Sequence, residues 1–434
     1  MTKPRVAIER VAGNFGMAVS RLLEKLPDVR RRLEECERVF IKINAVYFHP
    51  HLHTSTALIE SVVDCIKSVD PKKQIYLMEN CSQGNFTRLC FTTIGIAGIA
   101  GSRRVHCLYL DEEKSVRVEM GEGEAKALAR FPKILHENLI VNREKNLYIN
   151  MPVLKAHCQT VMTAGIKNQM GLLYDNDKAK HHNHRLHQKL VDILKFIRPD
   201  FTIVDALKVL ERGPMPPAKF VEERLHEKDV IVGGEDVVAV DAVCAGIMGY
   251  EPGEIKHVAL AAEQGLGVAD LEKIEVEGEM PACDGKIPWE LQTHFPKNLR
   301  IVVGNGGACY EGCLGHAEQV IELLVNENTT PDNFEDLPLT IVMGKGFEPG
   351  QLDGLEEPII VFGECACSEA LETLRSSYIS VDILNTCGRC DNFLAVVARH
   401  LNVDAFDLSP LSRLEIYRQF FTGRLHGLKY KIPR

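Results

Sequence analysis

Six cysteines in the last third of the chain stand in three close pairs, each where a strand-like run gives way to a helix-like segment. Cys309 and Cys313 follow Leu299–Gly304, Cys365 and Cys367 follow Pro358–Gly363, and Cys387 and Cys390 follow Tyr378–Leu384. In a parallel α/β sheet such turns share one rim, the rim where these sheets bind ligands. Thiolates are soft ligands suited to iron–sulfur clusters or zinc. Cys387-Gly-Arg-Cys390 also opens a helical pattern running from Asp391 to His400, whose free N–H groups would stabilise thiolates. The pairs around Cys365 and Cys387 together supply four thiols, enough for one four-iron cluster. Cys309 and Cys313 then replace two of these, serve a second cluster, or play no ligand role. Competing readings are a dithiol redox pair, since Cys387-x-x-Cys390 stands at a helix start, structural zinc, for which C-x-C is an unusual knuckle, and plain packing. We order them iron–sulfur, dithiol, zinc, packing, because turns are poor places to bury a thiol.

A second group lies at residues 151–171. A strand-like run delivers Lys155 and His157 to one side at period two. Thr160 precedes a helix-like stretch bearing Lys167 and Asn168. Ammonium, imidazole, hydroxyl and amide together suit a carboxylate or phosphate. A strand end with two solvated lysines has the same pattern, and spacing alone does not separate the two. The run His181-His182-Asn183-His184 is that of a solvated loop, but His187, on the helix that follows, is placed to face the pocket. Asp205 ends a strand, a favourable place for a site. Asp236 and Asp241 flank Val237–Val240 at the start of a small-residue helix.

These groups need elements to hold them. The first 280 residues alternate strand-like and helix-like patterns: strands at 39–44, 74–79, 146–152 and 201–205, helices from Thr56, from Leu186 to Ile197, and from an Asp236 cap to Met248. That alternation predicts α/β architecture with mostly parallel sheets flanked by helices. Residues 280–298 are polar, proline-rich and aperiodic, which predicts a joint between a domain at 1–285 and a cysteine-rich, metal-binding α/β domain at 298–434. A length of 434 residues is itself more than one ordinary core accommodates.

Bulk properties narrow the partners. A formal net charge of −9 argues against nucleic acid, and against an anionic membrane surface except through a local basic patch. No apolar run reaches spanning length, and residues 1–10 lack a signal peptide's apolar segment. The expectation is a cytoplasmic protein without a membrane span, whose fourteen cysteines are free thiols or ligands rather than a disulfide frame.

The segments Lys155-Ala-His157, Gly165–Gly171, Pro199–Asp205, Gly213-Pro214, Val240–Val243 and Gly265–Gly267, with Lys42–Asn44 and Thr56, resemble the family catalogued as domain of unknown function 362, over residues 35–280. The resemblance implies a site drawn from Lys42, Asn44, Lys155, His157, Lys167, Asn168, His187, Asp205 and Asp241, without implying a reaction. Relatives of the family carry a ferredoxin-type four-iron domain; here that cassette is absent and the cysteine-rich segment stands in its place. The leading expectation is an iron–sulfur protein of electron transfer or redox maturation, an oxidoreductase if an enzyme. Its first domain would bind a redox partner or an anionic small molecule. The alternatives are a non-redox enzyme on a carboxylate or phosphate, with His157 as acid/base and Lys155 or Lys167 as stabiliser, and an assembly protein with structural metal.

Overall fold

The computed structural model describes residues 3–81, 85–121, 127–291, 295–326, 336–404, 406, 409 and 411–429. Its strands are β1 (Arg5–Arg10), β2 (Arg38–Ile43), β3 (Gln74–Glu79), β4 (His106–Tyr109), β5 (Ser115–Met120), β6 (Ala127–Pro132), β7 (Asn146–Met151) and β8 (Val153–His157). They continue as β9 (Val161–Thr163), β10 (Phe201–Leu210), β11 (Leu225–Gly234), β12 (Glu275–Glu277), β13 (Leu299–Val303), β14 (Leu339–Met343), β15 (Ile359–Phe362) and β16 (Val381–Leu384).

Two sheets carry the architecture. The larger runs β12-β1-β11-β10-β7-β2-β3-β4, with β8 on β10 and β9 on β8. The strands β10, β7, β2, β3 and β4 are parallel, as the strand–helix alternation requires. The central strands β2 and β7 are buried almost without interruption because both faces are covered, while β4 at the edge has one buried residue of four. One face is closed by the helices Phe15–Glu24, Pro27–Glu35, Thr56–Val69 and Ile96–Arg103, the other by Leu186–Phe196, Val237–Ile247 and Lys256–Glu263. The antiparallel part was not visible in the residue pattern: β10 runs on to Leu210, turns back as β11, and β11 pairs antiparallel with β1. Parallel β12 closes that edge.

The smaller sheet is fully parallel, in the order β13-β14-β15-β16. Helices Gly315–Asn326 and Cys390–His400 pack on one face, Glu364–Glu369 and Leu371–Ser377 on the other. All three cysteine pairs lie beyond strand carboxyl ends on one rim of this sheet. The proline-rich stretch before it is anchored: Ile287 is buried, its N–H bonds Met248 O at 2.9 Å, its carbonyl accepts from Tyr250 Oη at 2.8 Å, and Trp289 meets Tyr310 edge-on at 5.5 Å. Residues 292–294 of that stretch lie outside the described residues.

Two carboxylates, one half-buried and one fully buried, lock the first sheet's helices. Asp236 caps Val237–Ile247, accepting from Val238 N at 2.9 Å and Ala239 N at 3.1 Å, and also holds Val268 N at 3.0 Å. Asp241, fully buried, accepts from Gly165 N at 2.6 Å and Ile166 N at 2.9 Å. It thereby pins the short helix Gly165–Asn168 to the sheet. Asp241→Ala would leave two backbone N–H groups buried without acceptors, which costs about 1–3 kcal/mol for each such group. The expected outcome is a loss of about 3 kcal/mol in urea unfolding, with Asp241→Asn in between; an unchanged midpoint would show that these bonds contribute nothing to stability.

Candidate active site

Strand carboxyl ends of the larger sheet deliver a polar set to one cavity of about 150 Å3. β2 brings Lys42 and Asn44, β3 brings Glu79 and Asn80, β8 brings Lys155 and His157, and the helix Gly165–Asn168 brings Lys167 and Asn168. Lys178 and His182 come from the segment before the helix Leu186–Phe196. The far wall belongs to the smaller sheet's part of the chain: His316, Gln319, Gly388 and Cys390.

Buried amides organise this floor. Asn44 Nδ2 donates to Asn168 Oδ1 at 3.0 Å, Asn168 Nδ2 to Asn150 Oδ1 at 2.8 Å, and Asn150 Nδ2 to Gly165 O at 2.9 Å. Lys155 Nζ donates to Asn44 Oδ1 at 3.3 Å and Leu52 O at 2.8 Å. Charge is distributed unevenly. Lys42 is matched by Glu79 at 2.6 Å; burial lowers the ammonium and raises the carboxyl, and each partly offsets the shift of the other. Lys178 meets Asp175 at 3.3 Å. Among the described residues, no carboxylate pairs with Lys155 or Lys167. Burial lowers Lys155 to about 7 and Lys167 to about 8.

The imidazoles are neutral and held. Gln159 N donates to His157 Nδ1 at 3.2 Å, so the neutral ring carries its proton on Nε2. His182 Nδ1 donates to Glu311 O at 3.0 Å, which leaves its Nε2 as an acceptor, whereas the His316 ring meets two carbonyls, Gly312 O at 2.8 Å from Nδ1 and that of Cys387. The Gln159 amide also lies 2.9 Å from His316 Nδ1, and the rings of His182 and His316 are 4.9 Å apart. Burial keeps His157 and His182 well below the usual imidazole range and His316 at about 4. One imidazole donor and one imidazole acceptor thus share a cavity with two lysines that have no carboxylate partner among the described residues.

Of the residues singled out in the sequence, Lys42, Asn44, Lys155, His157, Lys167 and Asn168 line the cavity. Thr160, His187, Asp205 and Asp241 do not. Thr160 Oγ1 turns back to Met162 O at 3.2 Å. His187 stacks on His257 at 5.7 Å, with Nε2 3.7 Å from Glu311. Asp205 holds Ser55 N at 2.7 Å and Leu207 N at 3.2 Å, so like Asp241 it braces backbone instead of facing the cavity. The sequence reading missed His182, His316, Gln319, Glu79, Lys178 and the cavity-facing position of Cys390. The histidine-rich run around His182 was the one signal that could have found any of them.

The thiols divide differently from the expected pairing. Cys367 Sγ turns to Val361 O at 3.8 Å and packs in the apolar layer beneath the sheet. Cys365 is exposed, because residues two apart on a helix point nearly opposite ways. Cys390 faces the cavity while Cys387 does not. The four thiols of Cys365, Cys367, Cys387 and Cys390 therefore do not converge. The sulfurs that approach one another are those of Cys313 and Cys387, at 3.4 and 3.6 Å from where a side chain on Gly363 would begin. Gly363 has φ of 100°, so a glycine keeps that turn open. Cys309 adjoins them, its Sγ 2.9 Å and Cys387 Cβ 3.4 Å from the corresponding point on Gly312, and Cys365 is near enough for its charge to act on Cys309. Backbone N–H groups aim at these sulfurs: Glu364 at Cys387 (3.4 Å), Gly344 and Leu314 at Cys313, and His184 at Cys309. Among the described residues, no three His, Cys, Asp or Glu side chains are grouped to hold one metal ion.

Residues 39–246 match the family model described as Domain of unknown function (DUF362). The thylakoid-associated protein sll1697 of Synechocystis is 32% identical over 132 residues, 29% of this chain and 39% of that protein. The match therefore spans well under half of that relative. Among solved structures, the lactate racemase apoprotein from Thermoanaerobacterium thermosaccharolyticum aligns with a TM-score of 0.42 at 12% identity, over 93% of this chain and 82% of that one.

Thiol reactivity should follow this geometry. Burial raises Cys313 and Cys367 to about 11 and Cys387 and Cys390 to about 12, which leaves about one thiolate in ten thousand or fewer at neutral pH. Iodoacetamide labelling of metal-free protein, read by peptide mass spectrometry, should modify exposed Cys365 at least about 100-fold faster than these four. Equal rates would overturn the placement.

Proposed function

We propose that this chain, whose residues 39–246 match the model of the domain of unknown function 362 family, is an enzyme that acts on a small carboxylate or phosphate held between its two sheets. The observation that carries this reading is the pair Lys155 and Lys167, both facing one cavity without a carboxylate partner. An anion there would form charge-assisted hydrogen bonds of about 1.5–3 kcal/mol each. The cavity is small, about 150 Å3, which favours phosphate or a short-chain acid as the substrate. Lys155 and Lys167 bind the anionic group, and the Asn44 and Asn168 amides fix its orientation. His157 donates a hydrogen bond from Nε2–H to a substrate oxygen. His182, neutral and with Nε2 placed to accept, takes a proton from the substrate.

Calorimetry with inorganic phosphate and with two- to four-carbon carboxylates tests this. Lys155→Met or Lys167→Met should weaken binding about 10- to 100-fold. Affinity should be full below pH about 7 and fall as pH rises through 7 to 8, because the free lysines discharge there and only the ammonium forms attract the anion. Affinity unchanged in both variants would overturn the reading.

A second reading, an iron–sulfur protein of electron transfer or redox maturation, is favoured by the backbone N–H groups aimed at Cys309, Cys313 and Cys387. Such hydrogen bonds to sulfur are among the features that set cluster potentials. Those three with Cys365 are the residues that would hold the cluster. Protein purified without oxygen should then contain about four irons per chain, characteristic of a four-iron centre, with broad visible absorption. Both should be lost in Cys313→Ser and Cys387→Ser and kept in Cys367→Ser. Colourless, iron-free wild-type protein would remove this reading and leave the first standing.

A further inference from the structure

The last described helix, Arg413–Leu425, is apolar on two faces. Its inner face docks on the body: Ile416 and Phe420 join a cluster with Phe86, Leu89 and Leu428, and Phe420 meets Phe86 edge-on at 6.1 Å. Among the described residues its outer face is covered only at Tyr417, whose ring lies 5.8 Å from that of Phe406. Leu414 is 80% exposed, Tyr417 41%, Phe421 63% and Leu425 87%. These residues recur at i, i+3, i+7 and i+11, so they form one stripe along the helix.

Charge identifies the occupant. Projected at about 100° per residue, Arg418 borders the stripe on one side and Arg413 and Arg424 border it on the other. Arg413 contacts Asp404 and Arg418 lies 3.5 Å from Glu415, and both keep most of their surface in solvent. In the sequence, Arg413, Arg418, Arg424, Lys429, Lys431 and Arg434 stand against Glu415 alone from residue 413 onward, in a chain whose net charge is −9. The local basic patch that bulk charge leaves open is therefore here, around exposed large apolar side chains. A two-fold contact with a second copy would set these arginines against their own equivalents, because the same patch meets itself in such an interface. An apolar stripe bordered by arginines matches a surface with an apolar interior and anionic headgroups.

We propose that Arg413–Leu425 seats this protein on an anionic lipid surface, with Leu414, Phe421 and Leu425 entering the acyl boundary, Tyr417 at its edge, and the arginines at headgroup level. The helix lies in the surface; no helix among the described residues is long and apolar enough to cross a membrane. The inference does not depend on the reading of the cavity, which opens elsewhere.

Vesicle flotation of the full chain tests it. The protein should float with phosphatidylcholine vesicles containing about a third phosphatidylglycerol, stay behind with phosphatidylcholine alone, and be released by high salt. Arg418→Glu combined with Arg424→Glu should weaken binding more than tenfold, since each arginine near such a surface is worth about fivefold. Phe421→Asp with Leu425→Asp should abolish it. All four side chains are exposed, so melting temperature should not change; if the aspartate pair unfolds the chain, the arginine pair alone decides. No flotation on anionic vesicles, or flotation equal in wild type and the arginine pair, overturns the proposal. So does a wild-type dimer that fails to float and dissociates on Phe421→Asp, which would assign the stripe to a second copy.

Discussion

Buried side-chain amides, at places where apolar residues would pack more cheaply, hold this structure's working end together. Asn44, Asn150 and Asn168 each sit under strand ends with almost no exposure and bond in a line that ends on the carbonyl of Gly165. An amide withdrawn from water destabilises the fold unless it is partnered, so the line tolerates one arrangement only. That arrangement fixes β2, β7 and the short helix Gly165–Asn168 relative to one another. Lys155 is tied into the same line through Asn44, so the cation takes its position from the fold. Asp205 and Asp241 extend the principle to the backbone, gripping the N–H groups from which neighbouring helices start.

The cavity belongs to neither sheet alone. Gly388 comes so near to Ala179 and His182 that a side chain there would begin 2.4 Å from His182 Cβ, and Gln159 reaches His316 across the same seam. Arg389 bonds Asn176, and Arg224 pairs with Glu322. The proton-accepting side of the site therefore depends on how the smaller sheet seats on the larger one, while the anion-holding side does not. Because Cys387 directly precedes Gly388, a change at its thiol is mechanically close to His182.

Much of the first sheet was legible in the residues. The β-branched runs of β2, β3 and β7 and the period-two placement of Lys155 and His157 needed only local geometry, and the Asp236 cap formed as its sequence suggests. Roles were harder to read than positions. Asp241 stands on its helix as expected, while Asp205 lies midway along β10 and not at a strand end, and both carboxylates are consumed by backbone donors, which no local pattern reveals. His316 joins His157 from 159 positions away, so only tertiary structure unites them. Cys367 was grouped with Cys365 because proximity in sequence was read as proximity of side chains; helical pitch separates them. The helix Arg413–Leu425 shows no single apolar face in sequence, because it carries one for the body and another for solvent.

The position of β1 has a consequence for the chain as it is being made. Arg5–Arg10 pairs with Val230–Gly234 and, through Arg5–Ala7, with Glu275–Glu277. Its partners leave the ribosome long after it does, on the order of tens of seconds at about 5–20 residues per second. Throughout that interval the first strand has an unpaired edge and an apolar face, Val6 to Ile8, which becomes buried only at the end. Closure of the large sheet is thus a late, non-local event. A nascent chain stalled before residue 225 exposes Arg5–Arg10 and has no segment of its own to cover it.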